Sequence, residues 1–321
     1  KAWERIGHLY PQVDLPKEYG GGKATVIAWI WARTVPSPDP AFSDVQVPIA
    51  SSFLLSSKTN QESWIEPMVD RQAKTITYRI RNGGTKAELA TAKEGTKAGR
   101  GANFRCLVSE TAITPDYVKR LGRTGKMGQT LIAIVAEVKR TRAFIAPTAE
   151  HECLAFSATP EWEPETSLPN DPRNFWTVDY GLTTFGDLFT DRQLVALNTF
   201  SDLVHEARTQ VEADALAAEL SSDTTLLRDG GGGAKAYAEA VSVYLGFGVS
   251  RLSDIQNSLC RWESSKTQVR NLFGRQSIPM MYDFGENNVF GDAAGDYRTS
   301  LGSIVKVIER FFPKGEGFEI N

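Results

Sequence analysis

Ala24-Thr25-Val26-Ile27-Ala28-Trp29-Ile30-Trp31 is the stretch whose reading decides the fold of the first half. β-Branched and aromatic side chains follow one another, which suits a buried strand. The preceding Gly20-Gly21-Gly22-Lys23 reads as a turn, because it lacks both the spacing of a phosphate-binding loop and a following helix. Pro36, Pro38 and Pro40 forbid regular structure on the other side, and residues 47–55 then supply the return strand of a hairpin. Lys74-Thr75-Ile76-Thr77-Tyr78-Arg79-Ile80-Arg81 alternates with period two. Thr75, Thr77, Arg79 and Arg81 therefore share a polar face opposite Ile76, Tyr78 and Ile80. Residues 86–103 are polar and Gly-rich and read as a mobile connection. Residues 131–145 read as a second hairpin, with the basic tip Lys139-Arg140-Thr141-Arg142. A helix over 131–138 stays open, since a short apolar run fits either.

The period changes after a Pro- and Glu-rich segment, 147–172, that holds about one helical turn near residues 150–156. Thr190-Asp191-Arg192-Gln193 is a capping-box pattern. Leu194, Leu197, Phe200, Val204, Ala207 and Val211 then follow the 3/4 spacing of one helix face. Gly230 to Gly233 breaks the chain before a second helix over 234–259. That helix is expected to turn Tyr237, Val241, Tyr244, Leu245, Leu252, Ile255 and Leu259 inward, with a close crossing at Gly246 and Gly248. A third helix over 297–312 turns Leu301, Ile304, Val305 and Ile308 inward, and Gly317–Ile320 starts a strand. The expected fold class is α+β. It comprises a β-rich region with a basic surface (1–146), a connector (147–180), and a helical region (181–321) holding an irregular loop (270–295).

Composition removes several classes of function. A hydrophobic content of 41% suffices for a core, but no apolar run approaches the roughly 20 residues that span a bilayer. Three widely spaced cysteines give no disulfide framework and point to the reducing cytoplasm. Three histidines leave little for metal or nucleophile–base chemistry, and His151, two residues from Cys153, reads as ordinary packing. No Gly-x-Ser-x-Gly, Walker or His-Glu-x-x-His pattern occurs. The first residues, Lys1-Ala2-Trp3-Glu4, lack a Met, as expected of a piece of a longer protein.

The net charge of −3 hides an asymmetry. Between Arg71 and Lys126 thirteen basic residues face four acidic ones. A basic half on an acidic chain suits local contact with a polyanion, the alternative being a solvated ribbon surface. Candidate nucleic-acid contacts within it are Arg79, Arg81, Arg105, Lys119, Arg120 and Arg123, joined by Arg140 at the hairpin tip. The irregular loop adds Arg275, suited to a phosphate or base edge, and Gln276, suited to adenine. A structural crossover with satisfied polar groups is the other reading of that loop.

Arg5-Ile6-Gly7-His8-Leu9-Tyr10-Pro11, the strand from Val26 to Val35, Tyr180-Gly181-Leu182-Thr183-Thr184-Phe185-Gly186-Asp187-Leu188-Phe189-Thr190, Arg192-Gln193-Leu194 and the 271–288 stretch carry a resemblance. In order, over nearly the whole chain, they resemble the large adenine-specific DNA methylases that carry an inserted zinc ribbon, some of them encoded beside antiphage genes. The resemblance aligns Ser37, Phe42, Cys106 and Ser109 with the four ribbon cysteines. An alcohol does not ionise near neutral pH and Phe42 cannot ligate, so zinc is not carried over and the expected metal is none. Phe42 is instead expected to fill the metal's place.

That family transfers a methyl group from S-adenosylmethionine to an adenine amino group. It uses an upstream Gly-rich loop and a downstream Asp-Pro-Pro-Tyr loop, and neither occurs here. The resemblance therefore implies the middle region between them, inactive alone and binding no cofactor by itself, with the final helix and strand returning to a Rossmann-like core. The implied partners are double-stranded DNA, the remainder of the methylase and other defence-system proteins, with no membrane. The target base must leave the duplex before its amino group can react, which calls for a grip on phosphates nearby. The alternative expectation is a non-catalytic DNA-binding or scaffold subunit of a defence complex.

Overall fold

A computed structural model describes residues 1–139, 141–274 and 276–311. The expectations for Arg140, Arg275 and Gly317–Ile320 lie outside these described residues.

The stretch around Trp29 and Trp31 forms strand β1 (Val26–Pro36), buried at every position but the last. Continuous burial follows from its place in the middle of a five-stranded antiparallel sheet. The other strands are β2 (Gln46–Ile49), β6 (Gly128–Val138), β7 (Thr141–Ile145) and β8 (Asp283–Asn287). β6 lies along one edge of β1 and carries β7 on its far side. The other edge is shared end to end, β8 pairing with residues 28–32 and β2 with residues 33–36. Residues 131–138 are thus a strand, which settles the ambiguity of that short run.

From Ala28 to Ala32 the side chains alternate between two cores. Trp29 and Trp31 join Leu9, Tyr10, Ala196, Phe200, Leu252 and Phe284 on the helical side. Ala28, Ile30 and Ala32 join Phe53, Leu55, Ile65 and Val135 on the other. Burying a Trp removes roughly 150–250 Å² from water, or about 4–6 kcal/mol before entropy is counted. Leu54–Ser56 (β3), Ser63–Asp70 (β4) and Thr75–Asn82 (β5) form a separate three-stranded ribbon. Its exposure alternates as its sequence does, with Thr75, Thr77, Arg79 and Arg81 exposed and Ile76, Tyr78 and Ile80 half-buried.

Helices are distributed along the whole chain: α1 (Lys86–Glu94), α2 (Pro115–Arg123), α3 (Ala149–Phe156), α4 (Asp191–Ala217), α5 (Ala234–Ser253) and α6 (Tyr297–Phe311). The mobile connection expected at 86–103 is corrected by α1, whose capping box between Thr85 and Glu88 fixes its start. The return strand expected at 47–55 stops at Ile49, and Leu54 to Ser56 pair with β4 instead. His151 belongs to the capping box of α3, where its Nδ1 accepts from the Thr148 N–H. α4 begins with the expected reciprocal bonds between Thr190 and Gln193.

The expected inward face of α5 is corrected in part. Leu252 is buried as expected, but Tyr237 and Tyr244 point outward and Ala234, Ala236, Ala238 and Gly248 are buried instead. The small residues let neighbouring elements approach. A Cβ on Gly248 would stand 3.1 Å from the Tyr297 ring, whereas Gly246 faces open space. Val305 is likewise outward, with Leu301, Ile304 and Ile308 only half-buried. The irregular loop contains β8, so region 181–321 contributes a strand to the sheet built by region 1–146.

The strings that carry the resemblance meet under this sheet. Arg192 Nε and Nη2 donate to the two Glu286 carboxylate oxygens at 2.8 and 2.9 Å, both side chains being 1% exposed. Trp31 Nε1 donates to Glu286 at 2.7 Å, and Arg192 Nη1 to the Leu9 carbonyl at 3.2 Å. The guanidinium carbon lies 3.9 Å from the centre of the Trp29 ring. One buried ion pair thus joins the N-terminal segment, β1, β8 and the start of α4.

Candidate nucleic-acid interface

α2 is the densest part of the expected basic surface. Thr114 caps it by accepting from the Tyr117 N–H, and Pro115 presets the first turn. Val118 and Leu121 bury its inner side, which leaves Lys119, Arg120 and Arg123 toward solvent. Its backbone sits close against the turn Thr177–Tyr180. A Cβ on Gly122 would lie 2.1 Å from the Tyr180 carbonyl oxygen, so no other residue fits there.

That close approach puts Asp179 within reach of two of the cations. Lys119 Nζ donates to one carboxylate oxygen at 2.6 Å and Arg123 Nη2 to the other at 2.7 Å. The Lys119 hydrogen bond holds the Asp179 carboxyl below its ordinary value, despite the opposing effect of burial, and Arg123 adds to it. Arg120 stays outside this clamp, its guanidinium 5.2 Å from the Tyr117 ring centre. On the ribbon, Arg79 and Arg81 both lean toward Glu66, at 3.8 Å each. Lys74 pairs with Asp44 and Arg71 with Glu110. Arg105 and Gln276 are exposed. The expected positive surface is therefore smaller than the count between residues 71 and 126 implies, because Asp44, Glu66 and Asp179 come in from outside it.

The two turns aligned with ribbon cysteines face one another. Ser37 Oγ lies 3.3 Å from Cys106 Sγ, and Phe42 packs against the apolar cluster containing Cys106. Burial pushes the Cys106 thiol up, but the Ser109 and Ser37 hydroxyls and the Ser109 and Val108 backbone groups outweigh it, leaving the thiol below its ordinary value. Two hydroxyls, a phenyl ring and one thiol do not fit structural zinc. Among the described residues no group of three His, Cys, Asp or Glu is placed to hold a metal.

Beneath α2 opens a cavity of about 460 Å³ that sequence reasoning missed. Lys119 and Asp179 line it with Lys97, Phe175, Trp176, Tyr180 and Tyr282. Lys97 Nζ stands 4.5 Å from the Phe104 ring centre and 5.1 Å from that of Tyr282. The Tyr282 hydroxyl donates to the Tyr180 hydroxyl at 2.8 Å. Nothing periodic announces this cavity. Its residues come from four separated segments, and only the aromatic content of 175–182 hinted at it. Comparison of the chain with models of protein families, with curated proteins and with solved structures finds no match.

Proposed function

We propose that this chain is the DNA-gripping and core-bridging region of an S-adenosylmethionine-dependent DNA adenine methyltransferase of the phage-defence or restriction–modification kind. Methyl transfer would rest on residues outside it. The observation that carries this reading is the contact between Ser37 and Cys106, 69 positions apart. The resemblance makes them ligand positions of one ribbon, and no local pattern would bring them together. In this reading the ribbon is degenerate and folds without metal, apolar packing around Phe42 replacing the ion.

The exposed cations support the grip on phosphate. The arginines of the Glu66 pairs are exposed and stand 3.8 Å from the carboxylate, and pairs with an exposed cation are worth about 0–1 kcal/mol, so a phosphate can displace the carboxylate at little cost. Each phosphate neutralised also releases counterions, which favours binding at low salt. The outward apolar residues Tyr237, Tyr244 and Phe247 on α5 and Val305 and Val307 on α6 suit the return to a Rossmann-like core.

Binding of a labelled duplex across a salt series tests the grip. Affinity should fall steeply with salt, and the slope should flatten when Arg79, Arg81, Arg120 and Arg123 are all changed to Ala. No binding at low salt, or an unchanged slope in the variant, would sink it. Host-DNA adenine methylation that is lost when this region is deleted separates the enzyme from the alternative of a scaffold subunit, whose deletion leaves methylation intact.

A further inference from the structure

We propose that the cavity beneath α2 binds a nucleotide, with its base against the Trp176 and Tyr282 rings and its phosphate against the ammonium groups of Lys97 and Lys119. Its volume of about 460 Å³ falls in the range of roughly 300–1,000 Å³ typical of small-ligand sites. The walls combine the two features a nucleotide needs. Exposed Trp176 and half-buried Phe175 offer aromatic surface over the buried Tyr180 and Tyr282, and Lys97 offers positive charge beside Lys119, whose ammonium a phosphate would share with Asp179.

Trp176 is 49% exposed at the rim, a large apolar surface left to water beside an opening. Lys97 reaches into the cavity over the Phe104 and Tyr282 rings and has no carboxylate within 4 Å among the described residues. It spends one donor on the Gly101 carbonyl, which leaves two of the three ammonium hydrogens for a ligand. Burial pulls the Lys97 ammonium below its ordinary value, so an anion brought beside it recovers part of what desolvation took away. A bare phosphate would leave Trp176 uncovered, and an uncharged ring would leave Lys97 with only the Asp283 carboxylate, beyond ion-pair distance, to offset its charge. The joint requirement is an aromatic ring carrying an anionic tail.

The chemistry is shared by a free nucleotide and by an unstacked residue of a DNA strand. The second source rests on the function proposed above, since Lys119 belongs to both the cavity and the basic helix. Calorimetric titration of the full chain with the four deoxynucleoside 5′-monophosphates, with the matching nucleosides and with inorganic phosphate gives the first arm. The monophosphates should bind, and the nucleosides and phosphate should bind at least about 10-fold more weakly. Trp176→Ala should weaken monophosphate binding about 10-fold, the scale of losing one stacked base. Lys97→Gln should weaken the monophosphates while leaving the nucleosides unchanged. Trp176 is half exposed, so its variant should fold, and circular dichroism checks this.

The second arm compares a fully paired duplex with one that carries a single unpaired base. A preference for the unpaired base that Trp176→Ala abolishes marks a strand residue as the occupant. Monophosphate binding without any duplex binding marks a soluble nucleotide and removes the DNA reading. Salt-sensitive duplex binding with no monophosphate binding and no preference for the unpaired base overturns the cavity proposal and leaves the DNA reading standing. Monophosphate affinity unmoved by both Trp176→Ala and Lys97→Gln overturns it as well.

Discussion

Replacing Glu286 by Gln tests whether the buried pair with Arg192 organises the fold. Gln keeps the shape and one acceptor oxygen but removes the charge. Arg192 is 1% exposed, so its charge stays buried with one neutral amide oxygen, the Leu9 carbonyl and the Trp29 and Tyr10 rings beside it. At about 4 Å and an effective dielectric near 20, the lost attraction is about 4 kcal/mol. Breaking a buried pair by removing one partner typically costs about 3–5 kcal/mol, in agreement. Whole-domain stability is about 5–15 kcal/mol, so the variant should lose about a quarter or more of it. The loss should be global, because the pair touches β1, β8, α4 and the N-terminal segment. Urea unfolding gives the midpoint and slope that measure it. The double variant Arg192→Met/Glu286→Leu should recover part of the loss, since an apolar pair can replace an ionic one. About 1–3 kcal/mol should remain missing, because Trp31 Nε1 no longer finds an acceptor. A single-variant loss under about 1 kcal/mol, or a double variant no more stable than the single, refutes the argument.

Gly122→Ala should destabilise the chain by about 1–3 kcal/mol, because its Cβ would meet the Tyr180 carbonyl oxygen at 2.1 Å. Hydrogen exchange over 115–124 should rise with it as α2 lifts away from Asp179, and unchanged exchange would contradict the close approach. The triple variant Ser37→Cys/Phe42→Cys/Ser109→Cys adds three thiols around Cys106 and should retain one zinc per chain after dialysis, read by elemental analysis. Failure to retain metal would mean that the two turns are not related as ribbon knuckles.

Local chemistry was legible wherever the fold depends on a few neighbouring residues. The capping box at Thr190 and Gln193 fixed the start of α4, and the alternation from Thr75 to Arg81 fixed the two faces of β5. It failed where tertiary contacts override period. Tyr237 and Tyr244 keep the helical spacing of an inward face, yet α5 buries its first alanines instead, and it buries Gly248 where the missing side chain lets Tyr297 of α6 approach. The segment around Glu286 looked irregular because its short strand is covered on both faces, and a strand so placed shows no alternation.

The candidate interface was half legible for a related reason. Counting Lys and Arg between residues 71 and 126 finds the cations but not the carboxylates that the fold sets against them. Asp179 reaches Lys119 and Arg123 only because Gly122 lets two backbones touch, and Glu66 reaches Arg79 and Arg81 only through the pairing of β4 with β5. Such pairing separates the cations into two kinds. Those held by carboxylates give up a partner to take a phosphate, whereas Arg120 and Lys97 give up none among the described residues. Arg120→Ala should therefore cost more duplex affinity than Arg79→Ala at equal salt, although sequence alone ranks the two arginines alike. Equal losses would mean that the carboxylates release their partners without cost, and that the ion pairs around α2 and the ribbon do not shape the interface.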